Sequence, residues 1–468
     1  MRNPCYGGRS GAKPKRQRIY RLEEFKLALD ASGARPVLMV NMLTSTIDNQ
    51  LAFLRHARAI GALPTHSYVE LGGEFYWGKF AGRWTRGSDY GATAVEWSRA
   101  ITAAFPDVRT LAIACHSFEY GQSQPGYRGR EWNAELYPVV AAAGSTVNGV
   151  VMHPYLHLGD DSVGGGTLQP LVPPRQKGEG PTGWSKNATV QRAMVSMLST
   201  SDGMAALLGV PFALASIAQG DNATQVPLPS NLRMVITEYN VMERAGPFKL
   251  SWAHALFIAA AVLNLLGVNA VDSVMLHCLL NGYGWGALYE TTADFQPGGG
   301  TPPHGSAGTA QGTGQGCLIA GCQGLVTVPY APTAVGTALG AMAASMAGAR
   351  TAINVGGDTQ LFPNNPIVPG GVKPNALPGS VAYPSLLGWR FTAGGRHSNL
   401  TVLNLGEQPL EYRAPEGARY QFFVSPTLAG PVGWASQATP VRVLQGVTSA
   451  TKPVLVPPYS LATFFEWR

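Results

Sequence analysis

Two glutamates head the inventory of groups that could do chemistry. Glu74 closes the run SYVELGGE and Glu238 closes LRMVITE, in a chain whose charged residues amount to only 13%. Each ends an apolar, β-rich segment, where a carboxylate is either paired with a cation or placed for use. Two carboxylates facing each other across a cleft suit glycoside hydrolysis: one protonates the departing oxygen, and the other attacks the anomeric carbon or activates water. The acid partner must hold a proton near neutral pH. Phe75, Tyr76 and Trp77 follow Glu74 directly and would raise its pKa by keeping water from the charged form. Taken alone, the pair could equally be structural ion-pair partners.

Stepping outward, four further apolar runs end on polar or ionisable residues: RPVLMVN on Asn41, VRTLAIACH on His116, VNGVVMH on His153 and VDSVMLH on His277. Amphipathic or apolar helical stretches separate these runs, among them IDNQLAFLRHARAIG, DYGATAVEWSRAITAAF and EWNAELYPVVAAAG, with later helices expected around 190–208, 251–266 and 333–347. Continuous apolar strands alternating with helices predict a parallel sheet covered on both faces. Units of about 40 residues fit a (β/α) barrel or a large doubly wound sheet. In a barrel the C-terminal strand ends converge on one face, whereas a doubly wound sheet spreads them along a line. Polar residues ending six runs in succession favour the barrel.

After the last helix the texture changes to a connector rich in proline and glycine, about 355–384, and then to short alternating segments such as GWRFTAG, SNLTVLNLG, RYQFFVSP and YSLATFFEW. These predict an antiparallel β-sandwich. The expected organisation is a basic tail over 1–20, a (β/α) catalytic domain over 21–352 and a β-sandwich domain over 353–468. The sandwich carries no cluster of catalytic residue types, and a structural or carbohydrate-contacting module is its default reading.

Composition bounds the remaining possibilities. The 468-residue chain is 45% hydrophobic, which fits a globular protein with a large core. Its most apolar helix, WAHALFIAAAVLNLLGV, is shorter than the roughly 20 residues of a membrane span and reads as buried. The net charge of +7 is concentrated at the N-terminus, MRNPCYGGRSGAKPKRQRIYR; a solvated tail is favoured there over a nucleic-acid contact or a nuclear address. Neither a nucleic-acid nor a membrane partner is expected, and the oligomeric state is open. No signal peptide is visible in these residues, and the compartment is open: secreted or endomembrane is expected if the N-terminus is truncated, and intracellular otherwise. Cys317 and Cys322 could pair, while Cys115 and Cys278 read as inert core thiols. Asn187, Asn222 and Asn399 begin N-x-[ST] patterns at a frequency near chance. The glycine-rich loops 291–316 and 158–183 read as low-complexity insertions, the first alternatively as a lid over the site.

In combination the motifs resemble a known group. YVELGGEFYW is similar to the strand-four motif of clan A glycoside hydrolases, Glu-x-Gly-Asn-Glu, and VITEYNV to their strand-seven motif; VMHPY matches the His-x-Tyr pair of strand six. The nearest resemblance is to α-L-arabinofuranosidases and β-xylosidases, with heparanase-like β-glucuronidases further off, over roughly Tyr20 to the C-terminus. The resemblance implies a (β/α)8-type TIM barrel followed by a β-sandwich, and a retaining double displacement with no cofactor and no metal. Glu74 would be the acid/base and Glu238 the nucleophile. Tyr155 would orient Glu238, His153 would line the sugar site, and Glu70 would be a supporting carboxylate inside the barrel. Trp77 and Trp285 are candidate sugar platforms. With Asn41, Gly73, His116 and His277 they complete the expected substrate-binding set.

Two departures stand out. Gly73 occupies the place of the motif's Asn, whose contact to the sugar 2-hydroxyl strengthens in the transition state. Only RPVLMVN precedes the Glu74 strand where the resemblance implies three strands, so the barrel is expected to lack its first two, through a truncated N-terminus or a partner chain. Both departures favour the alternative function, a catalytically inactive carbohydrate-binding or structural protein on the same scaffold.

Overall fold

The protein is described by a computed structural model covering residues 21–115, 128–156, 227–241, 251–278, 332–368, 382–393, 398–428, 441–449 and 451–467, with short pieces between 200 and 212 and at 287–288. In chain order the first part runs α1 (Leu22–Ser32), β1 (Val37–Met39), α2 (Ile47–Ala59), β2 (Tyr68–Glu70), α3 (Gly87–Ala104), β3 (Arg109–Ile113), α4 (Gly129–Ala142), β4 (Gly149–Met152), β5 (Tyr155–Leu156), β6 (Arg233–Ile236), β7 (Asn240–Val241), α5 (Trp252–Leu265), β8 (Val271–Val274) and α6 (Ala334–Met346).

Local sequence sets these elements. Thr46, Ser251 and Thr333 cap α2, α5 and α6 by accepting from the backbone N–H groups of Asn49, His254 and Gly336, offsetting donors a helix start leaves unpaired. Along α3 the buried positions Tyr90, Ala94, Trp97, Ser98 and Ile101 recur at helical spacing and form one inward stripe. In α5 all but Val262 and Asn264 are buried, as expected of the chain's most apolar helix. Gly87 is required where α3 meets α4, because a Cβ there would lie 2.3 Å from the Trp132 carbonyl oxygen.

The strands form one parallel sheet in the order β1-β2-β3-β4-β6-β8. Strand order follows chain order, which excludes the doubly wound alternative, whose order reverses at a switch point. The sheet curls. The Tyr68 hydroxyl on β2 donates to Asp272 Oδ2 on β8 at 3.0 Å, although β3, β4 and β6 lie between the two strands. The same carboxylate accepts from Arg233 at the start of β6 and lies 3.6 Å from Arg109 at the start of β3. Among the described residues the curled sheet is a half-barrel of six strands, ended by β1 and β8, and the eightfold closure implied by the resemblance is not made. The edge strands are accordingly the more exposed: Met39 of β1 is half exposed and no residue of β8 is fully buried, whereas Val69, Leu111 and Val150 are.

The second part is an antiparallel sheet in the order β16-β15-β18-β13-β12-β9, made of β9 (Thr351–Asn354), β12 (Leu386–Thr392), β13 (Ser398–Asn404), β15 (Arg419–Val424), β16 (Arg442–Val447) and β18 (Ser460–Trp467); β10 (Ile367–Val368) pairs with β11 (Tyr383–Pro384), and β14 (Leu410–Tyr412) with β17 (Val454–Val456). Both faces of the larger sheet are covered. Leu387, Trp389, Leu403 and Leu461 turn to α5 and α6, while Leu386, Val402, Ala462 and Phe464 turn to Leu410, Tyr412, Val454 and Val456 of the β14–β17 ladder. The alternation along each strand is that of a pleat with apolar material on both sides. The boundary expected at 352/353 falls inside β9, which pairs with β12. Asn399, one of the N-x-[ST] matches, donates through Nδ2 to the Ser345 carbonyl on α6.

Candidate active site

The strands end earlier than the sequence pattern suggests. Glu70 is the last residue of β2, so Glu74 stands in the loop beyond it; His153 follows β4 directly, and Thr237 and Glu238 follow β6. A further parallel pairing beyond these strands, β5 with β7, sets Tyr155 opposite Asn240 and holds the His153 and Glu238 segments side by side.

His153 is the hub. It is 4% exposed, and its Nδ1 lies 3.4 Å from Glu74 Oε1 and 4.0 Å from Glu238 Oε2. Those two legs, laid end to end, set an upper limit of about 7.5 Å on the separation of these two carboxylate oxygens, a limit that admits the roughly 5 to 5.5 Å spacing of retaining glycosidases. On its other side, His153 Nε2 is 3.1 Å from Thr237 Oγ1 and 3.9 Å from Glu70 Oε1, and the Thr237 hydroxyl donates to that same Glu70 oxygen. Burial would drive the imidazole neutral. The neighbouring Glu70, Glu74 and Glu238 outweigh it and push the His153 pKa up to about 10, so the ring is an imidazolium at neutral pH.

Glu74 is a third exposed and accepts from two aromatic side chains: the Tyr76 hydroxyl donates to Oε1 at 2.9 Å and the Trp77 indole N–H to Oε2 at 3.0 Å. The three aromatic rings expected to wall this carboxyl off from water do not do so. Phe75 turns away, into a cluster with Phe80, Trp84 and Tyr90, while Tyr76 and Trp77 present their polar edges. The Trp77 ring is stacked against Tyr76 at 6.1 Å between centroids. Gly72 makes the turn possible: its φ is +95°, and a Cβ would come within 2.0 Å of the Phe75 ring. Gly73 is different, since a Cβ there meets only Met39 Sδ at 3.9 Å.

The remaining expected residues divide. Asn41 is spent on the turn after β1: its Oδ1 accepts from the backbone N–H groups of Leu43 and Thr44, and its Nδ2 donates to Thr44 Oγ1. His277 is joined to the Glu238 segment through its backbone, its N–H donating to the Tyr239 carbonyl and its carbonyl accepting from Asn240 Nδ2 at 2.6 Å. His116 and Trp285 lie outside the described residues, as do the Tyr155 side chain, Cys317, Cys322 and the loops 291–316 and 158–183. Three participants carry no motif of their own in the sequence: Thr237, which bridges Glu70 and His153; Asn240, whose Oδ1 is 3.0 Å from His254 Nε2; and Arg128, which donates to carbonyls of the Glu74 loop. The only sequence signal for the first two is their adjacency to Glu238.

No family model and no curated relative matches the sequence. Solved structures do match the fold. An α-L-arabinofuranosidase from Thermotoga maritima, in complex with arabinose, superposes over 95% of this chain and 78% of its own, with TM-score 0.53 and 14% identity. A GH51 α-L-arabinofuranosidase from Thermotoga petrophila RKU-1 gives 0.54 at 14% identity over the same shares. A family 51 α-L-arabinofuranosidase from Bifidobacterium longum gives 0.52 at 12%, again over 95% and 78%. The chain shares its overall fold with these arabinofuranosidases. Within that fold, the carboxyl ends of β2, β4 and β6 bring Glu70, Glu74, His153 and Glu238 to one place.

Proposed function

We propose that the protein is a retaining glycosidase acting on a polysaccharide or glycoconjugate, with Glu238 as nucleophile and Glu74 as acid/base. The observation that carries this reading is the approach of both carboxylates to His153 Nδ1 at one end of the sheet. In the first step Glu238 attacks the anomeric carbon while Glu74 gives its proton to the departing oxygen. In the second, Glu74 takes a proton from the water that attacks the same carbon, releasing the sugar from Glu238.

The neighbours suit these roles. The His153 imidazolium faces Glu70, Glu74 and Glu238 and offsets the charge of the carboxylate cluster. Tyr76 can follow the proton on Glu74: a hydroxyl donates to the carboxylate and can rotate to accept from the acid, whereas the Trp77 N–H only donates. Tyr155, Trp77, Trp285 and His277 are assigned to the sugar-binding surface, and residues 21–352 to the catalytic domain.

A panel of aryl glycosides tests the reading, led by the α-L-arabinofuranoside because of the fold and extended to β-xyloside and β-glucuronide. One should be hydrolysed with retained configuration. Glu238→Ala should abolish turnover, and Glu74→Ala should slow poor leaving groups by about 10²- to 10⁴-fold. Sugar binding with no turnover of any glycoside would favour a carbohydrate-binding protein instead.

A further inference from the structure

Arg128 precedes α4, and its guanidinium is turned back onto the loop that carries Glu74. Nη2 donates to the Phe75 carbonyl at 2.5 Å and to the Trp77 carbonyl at 3.3 Å, and Nη1 donates to the Trp84 carbonyl. The Arg128 backbone N–H reaches the Tyr76 carbonyl at 3.4 Å. The guanidinium carbon lies 5.1 Å from the centroid of Trp132, whose ring is fully buried. The other end of the loop is tied independently, by the Tyr90 hydroxyl donating to the Leu71 carbonyl at 2.8 Å. Glu74 therefore stands in a turn held from both sides, with Arg128 contributing side-chain and backbone contacts on the downstream side.

We propose that Arg128 is the positioning residue for Glu74: by gathering the carbonyls of Phe75, Trp77 and Trp84, it fixes the backbone that aims the Tyr76 hydroxyl and the Trp77 indole at the two carboxylate oxygens. This rests on the reading of Glu74 as acid/base. The chemistry selects arginine. A planar fork with several N–H donors serves carbonyls at fixed angles while its face lies on Trp132, whereas a lysine ammonium is a point charge with no flat face.

The test uses Arg128→Lys, which keeps the charge and most of the stem, with aryl glycosides of good and poor leaving ability. Acting through Glu74, the substitution should lower kcat on the poor leaving group by about 10- to 100-fold, spare the activated one, and change KM by less than about 3-fold. In a Glu74→Ala background it should cause no further loss. An equal loss on both substrates, or a loss that adds in full to Glu74→Ala, overturns the proposal. Hydrogen exchange gives a reading that does not depend on turnover. The amides of Trp77, Phe80 and Trp84 are hydrogen-bonded within the loop and should exchange at least about 10-fold faster in Arg128→Lys, with β3 and α3 unchanged. Unchanged exchange in the loop overturns the clamp. A wild-type protein that hydrolyses no glycoside, yet shows the loop-specific exchange change, removes the glycosidase reading and leaves the clamp standing.

Discussion

His153 Nδ1 lies 3.4 Å from Glu74 Oε1, and this contact joins the acid/base candidate to a buried cation that also faces Glu70 and Glu238. A free histidine has a pKa of about 6.5 and His153 is pushed up to about 10, so the folded state holds the proton more tightly than the unfolded chain. The resulting stabilisation is complete below about pH 6.5 and is lost as pH rises to about 10. Urea midpoints measured across that window should fall in the wild type. In His153→Gln the fall should flatten, with a stability loss of about 3 kcal/mol at pH 6 from uncompensated carboxylates.

Glu70→Gln separates charge from shape. The amide oxygen can still accept from Thr237, so unfolding should change by no more than about 1 kcal/mol. With one of the carboxylates that raise His153 removed, the alkaline loss of stability should begin at lower pH than in the wild type. An unmoved alkaline limb would show that Glu70 does not set the charge of His153.

The two glycines before Glu74 should respond oppositely. Gly72→Ala demands a left-handed backbone of a Cβ-bearing residue and drives that Cβ into the Phe75 ring; a loss above about 2 kcal/mol is expected in thermal or urea unfolding. Gly73→Asn has room beside Met39 and should leave Tm within about 2 °C. If a 2-hydroxyl contact limits turnover, Gly73→Asn should also raise kcat.

Tyr76→Phe and Trp77→Phe each remove one donor from the Glu74 carboxylate. Since donors favour the charged form, each change should move the alkaline limb of the kcat/KM profile to higher pH. Tyr76→Phe should also lower kcat more than Trp77→Phe does, because only the hydroxyl can accept the acid's proton.

At the opposite end of the half-barrel, Asp272 is the acceptor shared by Tyr68 and Arg233, with Arg109 beside it. Asp272→Ala should cost about 1 kcal/mol, since the donors it leaves can turn to water. Arg109 is half exposed, so Arg109→Ala should cost no more than about 1 kcal/mol in the same assay.

What depends on short-range periodicity is readable from the order of residues alone. The alternation of apolar strands with amphipathic or apolar helices, the burial of α5 and the change to short alternating strands were all legible, because each follows from side-chain spacings of two or about four residues. The placement of Glu74, His153 and Glu238 near the carboxyl ends of strands was legible for the same reason. The tertiary structure decided which atoms meet. Glu70 and Thr237 are far apart in the chain, and they share a hydrogen bond because β2 and β6 belong to one curled sheet. Asn41 and Glu74 both follow parallel strands, yet Asn41 closes its own turn while Glu74 reaches His153. The rings after Glu74 suggest a dry wall in the sequence, yet Tyr76 and Trp77 turn polar edges to it, on a loop whose Phe75 and Trp77 carbonyls accept from Arg128, about fifty residues further along the chain. Strand order, register and the reach of a distant side chain are long-range quantities, and a local spacing carries no record of them.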